Sequence, residues 1–168
     1  SGTFITPRLE QPLSRLTSFT EMLKMKGFEP SSVWLSRTVA APSHEEVIKL
    51  GLSPNAQVAR LKRQRLADGV VMAIEQSSLP LAYLPDPQAV GASLYAYLDK
   101  AGHPIVRALQ HIRAVNAGPE LAAIAGIKPG EAMLLITRIG YTAENVAIEL
   151  TDTWCRNDYY DFVAELRR

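Results

Sequence analysis

Arg63 and Arg65, in Leu61-Lys62-Arg63-Gln64-Arg65-Leu66, carry the clearest chemical signal in the chain. On a β-strand, side chains two apart share a face. Two guanidiniums side by side repel unless an anion lies between them, and each offers a planar donor fork matched to carboxylate or phosphate. An Arg-x-Arg pair is also the pattern of an ordinary solvated strand face, so the pair alone does not define a site. Glu75 adds the second signal. It stands in Ala73-Ile74-Glu75-Gln76-Ser77, where a carboxylate among apolar neighbours needs a partner. Between the two segments lies Ala67-Asp68-Gly69, a hairpin turn sequence. A two-residue turn at Asp68-Gly69 would set Arg63 opposite Ile74 and send Glu75 to the other face. A three-residue loop with Gly69 left-handed sets odd residues opposite odd ones. The three-residue loop is the expectation. It gathers Arg63, Arg65, Ala73 and Glu75 on one face, a site for a ligand both anionic and hydroxylated.

Arg138, inside Leu134-Leu135-Ile136-Thr137-Arg138-Ile139, and Glu149, inside Val146-Ala147-Ile148-Glu149-Leu150, are charges embedded in core-like strands. They either pair with each other across their hairpin or face a ligand. Other candidates carry less. His44, His103 and His111 lack metal-ligand spacing, so no metal is expected. The single thiol, Cys155, excludes an internal disulfide and reads as a small buried hydrophobe. No nucleophile elbow, P-loop or dinucleotide fingerprint occurs, so those enzyme classes have no support and no cofactor is expected.

The elements that must position these residues follow from pattern and punctuation. A helix is predicted over 16–26, ended by Gly27, and a strand over 33–40. Ser43-His44-Glu45-Glu46 is a capping box opening a helix that Gly51 stops. Strands are predicted over 56–66 and 71–79. A proline-rich loop spans 80–87, and Ser93 caps a helix running to Lys100. A strand over 104–115, a short helix over 119–125, strands over 131–141 and 146–155, and a terminal helix over 158–168 complete the series. About six hairpin-linked strands with short helices imply an α+β fold with an antiparallel sheet.

At 168 residues and 47% apolar content, the chain suits one domain with its own core. Eighteen Lys and Arg against 17 Asp and Glu give a net charge of +1, which leaves no basic footprint for nucleic acid. No apolar run approaches the roughly 20 residues of a membrane helix, and no secretory signal pattern opens the chain, so a cytoplasmic location is expected. The chain starts at Ser1 without an initiator Met, and further residues are expected upstream.

In this order and spacing, several segments together resemble one family. Ser1-Gly2-Thr3-Phe4-Ile5 looks like the end of a wing from a preceding winged helix-turn-helix. Leu16-Thr17-Ser18-Phe19-Thr20-Glu21 and Gly27-Phe28-Glu29-Pro30 are similar to a first helix and its exit. The Arg63–Glu75 hairpin, the Ser93-Leu94-Tyr95 helix start, and Glu149 through Arg156-Asn157-Asp158-Tyr159-Tyr160-Asp161-Phe162 complete the resemblance. It is to the UTRA effector-binding domain of GntR-type bacterial transcription regulators, HutC subgroup. The resemblance implies a chorismate-lyase-like fold, with residues 1–12 a wing and linker remnant and 13–168 the effector domain. It further implies a non-catalytic, homodimeric sensor whose DNA contacts belong to an upstream domain, as in a repressor. Arg63, Arg65, Ser93, Tyr95, Ser18, Phe19 and Thr20 would hold the anionic group of a small metabolite. Glu75 and Glu149, with Arg138 nearby, would hold its polar body. The Ser93 start resembles the amino-sugar-phosphate branch, whose effectors are N-acetylglucosamine 6-phosphate or glucosamine 6-phosphate. Relatives in that branch often carry Tyr where this chain has Cys155. A chorismate-lyase-like enzyme on the same fold is the alternative. A third is a ligand-free dimerisation module in which Arg63, Arg65 and Glu75 only pair with one another.

Overall fold

The structure, a computed structural model, describes the backbone of residues 9–12 and the whole of residues 19–168. Its elements are β1 (Leu9–Pro12), α1 (Phe19–Met25), β2 (Pro30–Ala40), α2 (His44–Leu50), β3 (Val58–Ala67), β4 (Val70–Pro80), α3 (Leu94–Lys100), β5 (Arg107–Asn116), α4 (Pro119–Ala125), β6 (Ala132–Tyr141), β7 (Ala147–Arg156) and β8 (Tyr160–Val163). Six strands form one antiparallel sheet, as the hairpin spacing predicts, and their order is β2-β3-β4-β7-β6-β5. α2 and α4 cover one face. There Leu50 packs on Ile139 and Leu150, and the α4 alanines pack on Ile74 and Met133. α1 and α3 cover the other: Met22 and Leu23 sit with Met72, Ala73 and Cys155, and Leu94 and Leu98 with Leu61, Leu79 and Ile148.

The hairpin has the expected register by an unexpected route. Asp68 (φ 48°) and Gly69 (φ 80°) are both left-handed and make a two-residue turn with Ala67 opposite Val70. Asp68 is held there by Glu29, whose N–H donates to Asp68 Oδ1 at 2.9 Å and whose carbonyl accepts from the Asp68 N–H at 3.0 Å. A bulge follows at once. Leu66 faces Val71 but Arg65 faces Ala73, so Met72 is the extra residue. Beyond it Arg63 faces Glu75, the pairing anticipated from a longer loop.

The predicted terminal helix over 158–168 does not form. Tyr160–Val163 is a strand, parallel to β1, and residues 164–168 carry no regular structure. Tyr159, Tyr160, Phe162 and Val163 are aromatic or β-branched, types that favour strands over helices. The partner strand lies at the other end of the chain, where local pattern cannot register it. The helix predicted over 16–26 appears as α1 at Phe19–Met25, residues 13–18 lying outside the described residues.

The capping box forms as read: the Glu46 N–H donates to Ser43 Oγ at 3.2 Å and the Ser43 N–H to Glu46 Oε1 at 2.7 Å. Arg60 of β3 adds a bond from Nε to Glu46 Oε2 at 2.9 Å, tying α2 to the sheet. Burial pushes the Glu46 carboxyl up, but the bonds from Arg60 and Ser43 outweigh it and hold it at about 2. A carboxyl held below its ordinary 4.5 gives stability that is complete above pH 4.5 and is lost as pH falls toward 2. Urea unfolding at stepped pH should therefore show Glu46→Gln less stable than the parent at pH 6, with the gap closing between pH 4.5 and 2. A gap that stays constant with pH would assign the loss to packing instead.

Candidate effector site

One face of four adjacent strands lines a cavity. β3 supplies Arg63 and Arg65, and β4 supplies Glu75 and Ser77. β7 gives Glu149, Thr151, Thr153 and Cys155, and β6 gives Ile136 and Arg138. The register explains the set: Arg63, Glu75, Thr153 and Ile136 form one row across the sheet, and Ser77, Thr151 and Arg138 form the next. Phe19 of α1, Ser93, Leu94 and Tyr95 at the start of α3, and Tyr160 of β8 close it over.

Arg63 and Arg65 are each only 2% exposed, so the reading of a solvated strand face fails. Arg63 Nε donates to Glu75 Oε1 at 3.1 Å, and its Nη1 reaches the carbonyls of Gly91 (3.3 Å) and Ala92 (3.4 Å). Its guanidinium lies over the Trp34 ring at 4.7 Å. Arg65 Nη1 donates to Ser32 Oγ at 2.9 Å and to the Ala92 carbonyl at 3.4 Å, and Nη2 donates to Thr20 Oγ1 at 3.1 Å. Its guanidinium stacks on Phe19 at 4.7 Å. Arg65 Nε lies 3.9 Å from Glu75 Oε2, is buried, and has no hydrogen-bond partner among the described residues. Burial pulls Arg65 down to about 10 although Glu75 opposes it. Burial pushes Glu75 up, and Arg65 and Arg63 more than offset this, leaving it below the usual carboxylate range. The anion between the two guanidiniums is thus Glu75 itself.

Arg138 and Glu149 are joined through a third residue. Tyr95 Oη donates to Glu149 Oε1 at 2.8 Å and accepts from Arg138 Nη1 at 3.2 Å. Thr151 Oγ1 donates to Glu149 Oε2 at 2.7 Å, and Gln110 Oε1 takes Nε (3.1 Å) and Nη2 (2.9 Å) of Arg138. Burial raises the Glu149 carboxyl, and Arg138 only partly opposes it. Burial and Glu149 together raise the Tyr95 phenol.

Eight of the ten sequence-derived residues line the cavity: Phe19, Arg63, Arg65, Glu75, Ser93, Tyr95, Arg138 and Glu149. Thr20 stands behind, holding Arg65 and donating to the Ala92 carbonyl at 3.3 Å. Ser18 lies outside the described residues. Ser93 is the N-cap of α3, its Oγ accepting the Ala96 N–H at 3.1 Å, which leaves the hydroxyl proton to donate. Sequence reasoning missed Ser77, Thr151, Thr153 and Tyr160 as lining residues, and read Cys155 only as core. The odd-numbered alternation of β7 from Glu149 to Cys155 would have found three of them, given the β4–β7 pairing. Among the described residues no His, Cys, Asp and Glu cluster could hold a metal ion.

The six-stranded antiparallel sheet with its short helices matches the solved effector or ligand-binding domains of GntR-family transcription regulators. Residues 25–161 match the UTRA domain, and the chain belongs to that family. The HTH-type transcriptional repressor NagR of Bacillus subtilis is 34% identical over 171 residues, covering 99% of this chain and 70% of NagR. The repressor PhnF of Mycolicibacterium smegmatis is 28% identical over 161 residues, covering 94% of this chain and 66% of PhnF. The crystal structure of the PhnF effector domain from Mycobacterium smegmatis superposes with a TM-score of 0.88 at 27% identity, covering 95% of this chain and 99% of that one. The chain thus spans about two thirds of the length of these curated relatives. Among the described residues no helix is long and apolar enough to cross a membrane.

Proposed function

We propose that this UTRA domain senses a sugar phosphate, foremost N-acetylglucosamine 6-phosphate or glucosamine 6-phosphate, and binds it without turnover. It does so as the homodimeric part of a bacterial transcription repressor. Residues 1–12, of which Leu9–Pro12 pairs with β8, then lead into it from an upstream winged helix-turn-helix, which makes the DNA contacts. The observation that carries this reading is the charge of the cavity: the buried guanidiniums of Arg63 and Arg65 and the half-buried one of Arg138 face two carboxylates, Glu75 and Glu149. The surplus is positive, three guanidiniums against two carboxylates. A phosphate oxygen near Arg65 Nε would satisfy the orphaned donor, and charge-assisted bonds of this kind are the strong ones. The hydroxyls of Ser77, Thr151, Thr153 and Tyr95 suit a hydroxylated body. The Ser93-Leu94-Tyr95 helix start, which resembles the amino-sugar-phosphate branch, supports the amino-sugar choice.

The test uses Trp34, which touches Arg63, and removes the other tryptophan, Trp154, which packs on the opposite face near α4. Titrating the Trp154→Phe variant with N-acetylglucosamine 6-phosphate should shift Trp34 emission along the curve that calorimetry gives for the parent. The sugar should be recovered unchanged. No heat and no shift with either amino-sugar phosphate at millimolar concentration would remove this effector class, and turnover would favour the enzyme reading.

A further inference from the structure

Gly140 lies on β6 directly opposite Glu149 of β7. Its φ is not positive, so the backbone there makes no demand for glycine. The space does. A Cβ at this position would stand 2.5 Å from Glu149 Oε1 and 3.1 Å from two carbons of Ile105. Every other glycine among the described residues has nothing within 4 Å of that point. The contact falls on the carboxylate oxygen that accepts the Tyr95 phenol. Glu149 is 2% exposed, and its second oxygen is bonded to Thr151, so the carboxylate has little room to retreat except into the cavity.

The strand pairing shows how the carboxylate comes to lie there. Gly140 faces Glu149, whereas Tyr141 faces Ala147, so Ile148 is an extra residue on β7. At such a bulge alternation is interrupted. Ile148 is buried against Leu94 and Leu98 of α3, and the next residue, Glu149, also meets α3 through Tyr95. The bulge thus crowds two large side chains onto one side of the sheet beside α3. The missing side chain at Gly140 is the gap that admits the carboxylate.

We propose that Gly140 is a positioning residue of the ligand site. By lacking a side chain it lets the Glu149 carboxylate lie across β6 under the Tyr95 hydroxyl, and so keeps the Arg138–Tyr95–Glu149 array clear of the ligand volume. The proposal deepens the sensor reading and rests on it for its ligand arm. A second arm reads geometry alone, so the two can fail separately.

The experiment makes Gly140→Ala, Glu149→Ala and the double variant, and titrates each with N-acetylglucosamine 6-phosphate by calorimetry. Gly140→Ala should weaken binding about tenfold or more in the parent, the scale of a lost charged hydrogen bond. In the Glu149→Ala background the same change should alter affinity by no more than about twofold, because the group it displaces is gone. An equal loss in both backgrounds would assign the effect to Ile105 or to the fold, and no loss in the parent would end the proposal. Independently of any ligand, a crystal structure of Gly140→Ala should show the Tyr95 Oη to Glu149 Oε1 distance lengthened from 2.8 Å beyond hydrogen-bond range. An unmoved carboxylate there would overturn the proposal even if affinity fell. Should Glu149→Ala not fold, this structure decides alone.

Discussion

Replacing Arg63 and Arg65 together by alanine is expected to abolish measurable binding of a sugar phosphate while also destabilising the empty domain. The two losses have separate causes. Removing desolvated charges that face an anion costs several kcal/mol of binding, on the order of a thousandfold or more in affinity. The unphosphorylated sugar, lacking the dianion, should lose far less. The stability loss comes from Glu75, which is bonded to Arg63 at 3.1 Å and lies 3.9 Å from Arg65. Without them it is an uncompensated buried carboxylate, worth roughly 3–5 kcal/mol. From sequence alone, two neighbouring arginines suggest strain relieved by deletion. The structure reverses that expectation, since the neutralising carboxylate is built in. Arg63→Lys and Arg65→Lys keep the charge beside Glu75 but lose the planar fork, its multiple acceptors and its stacking on Trp34 or Phe19. They should lose less stability than the double alanine variant and still discriminate poorly between the phosphorylated and unphosphorylated sugar. Calorimetry against both sugars, with thermal melts, separates these effects. An equal loss for the two ligands would mean the arginines do not read the anion.

Glu75→Ala should give the largest change in the unliganded protein. It leaves two buried guanidiniums facing each other across the space that the carboxylate filled. Breaking a buried pair at one partner costs about 3–5 kcal/mol. For a domain of this size that is a fall in Tm of roughly 6–20 °C. Inorganic phosphate should then recover more of the Tm in the variant than it adds to the parent, because an anion can occupy the vacated position and stabilises by mass action. Melts across a phosphate series check this. A variant as stable as the parent would show that the arginines are neutralised elsewhere. Equal phosphate shifts in the two proteins would show that the anion does not enter between them.

The parts of the site written along single strands were legible in the sequence. Arg63, Arg65 and Glu75 are related by alternation and one turn, and the register came out as read although the turn did not. The turn is one residue shorter than expected, and the Met72 bulge adds that residue back. Ser93 and the capping box at Ser43 were legible because a cap is a short-range pattern. Thr151, Thr153 and Cys155 were not, since β7 lies beside β4 only through a non-sequential neighbour relation. Tyr160 was lost for the same reason, its strand pairing with the opposite end of the chain. The Arg138–Glu149 relation was half legible. Both were seen as charges in need of partners, but the phenol that joins them comes from α3, distant in sequence from both.

The carbonyls of Gly91 and Ala92 accept from Arg63, and that of Ala92 from Arg65 as well, so the chain itself supplies acceptors to both guanidiniums. On the sensor reading, ligand entry beside those carbonyls is an exchange, in which an arriving oxygen displaces a backbone acceptor, with Arg65 Nε the one donor left over. The net affinity is then a small difference between two similar sets of bonds. A receptor built this way is tuned by how well the chain satisfies itself: tighter carbonyl contacts would raise the metabolite level at which it fills, and slacker ones would lower it. On the sensor reading, its threshold would lie as much in Gly91 and Ala92, just before the Ser93 cap, as in the groups that touch the ligand.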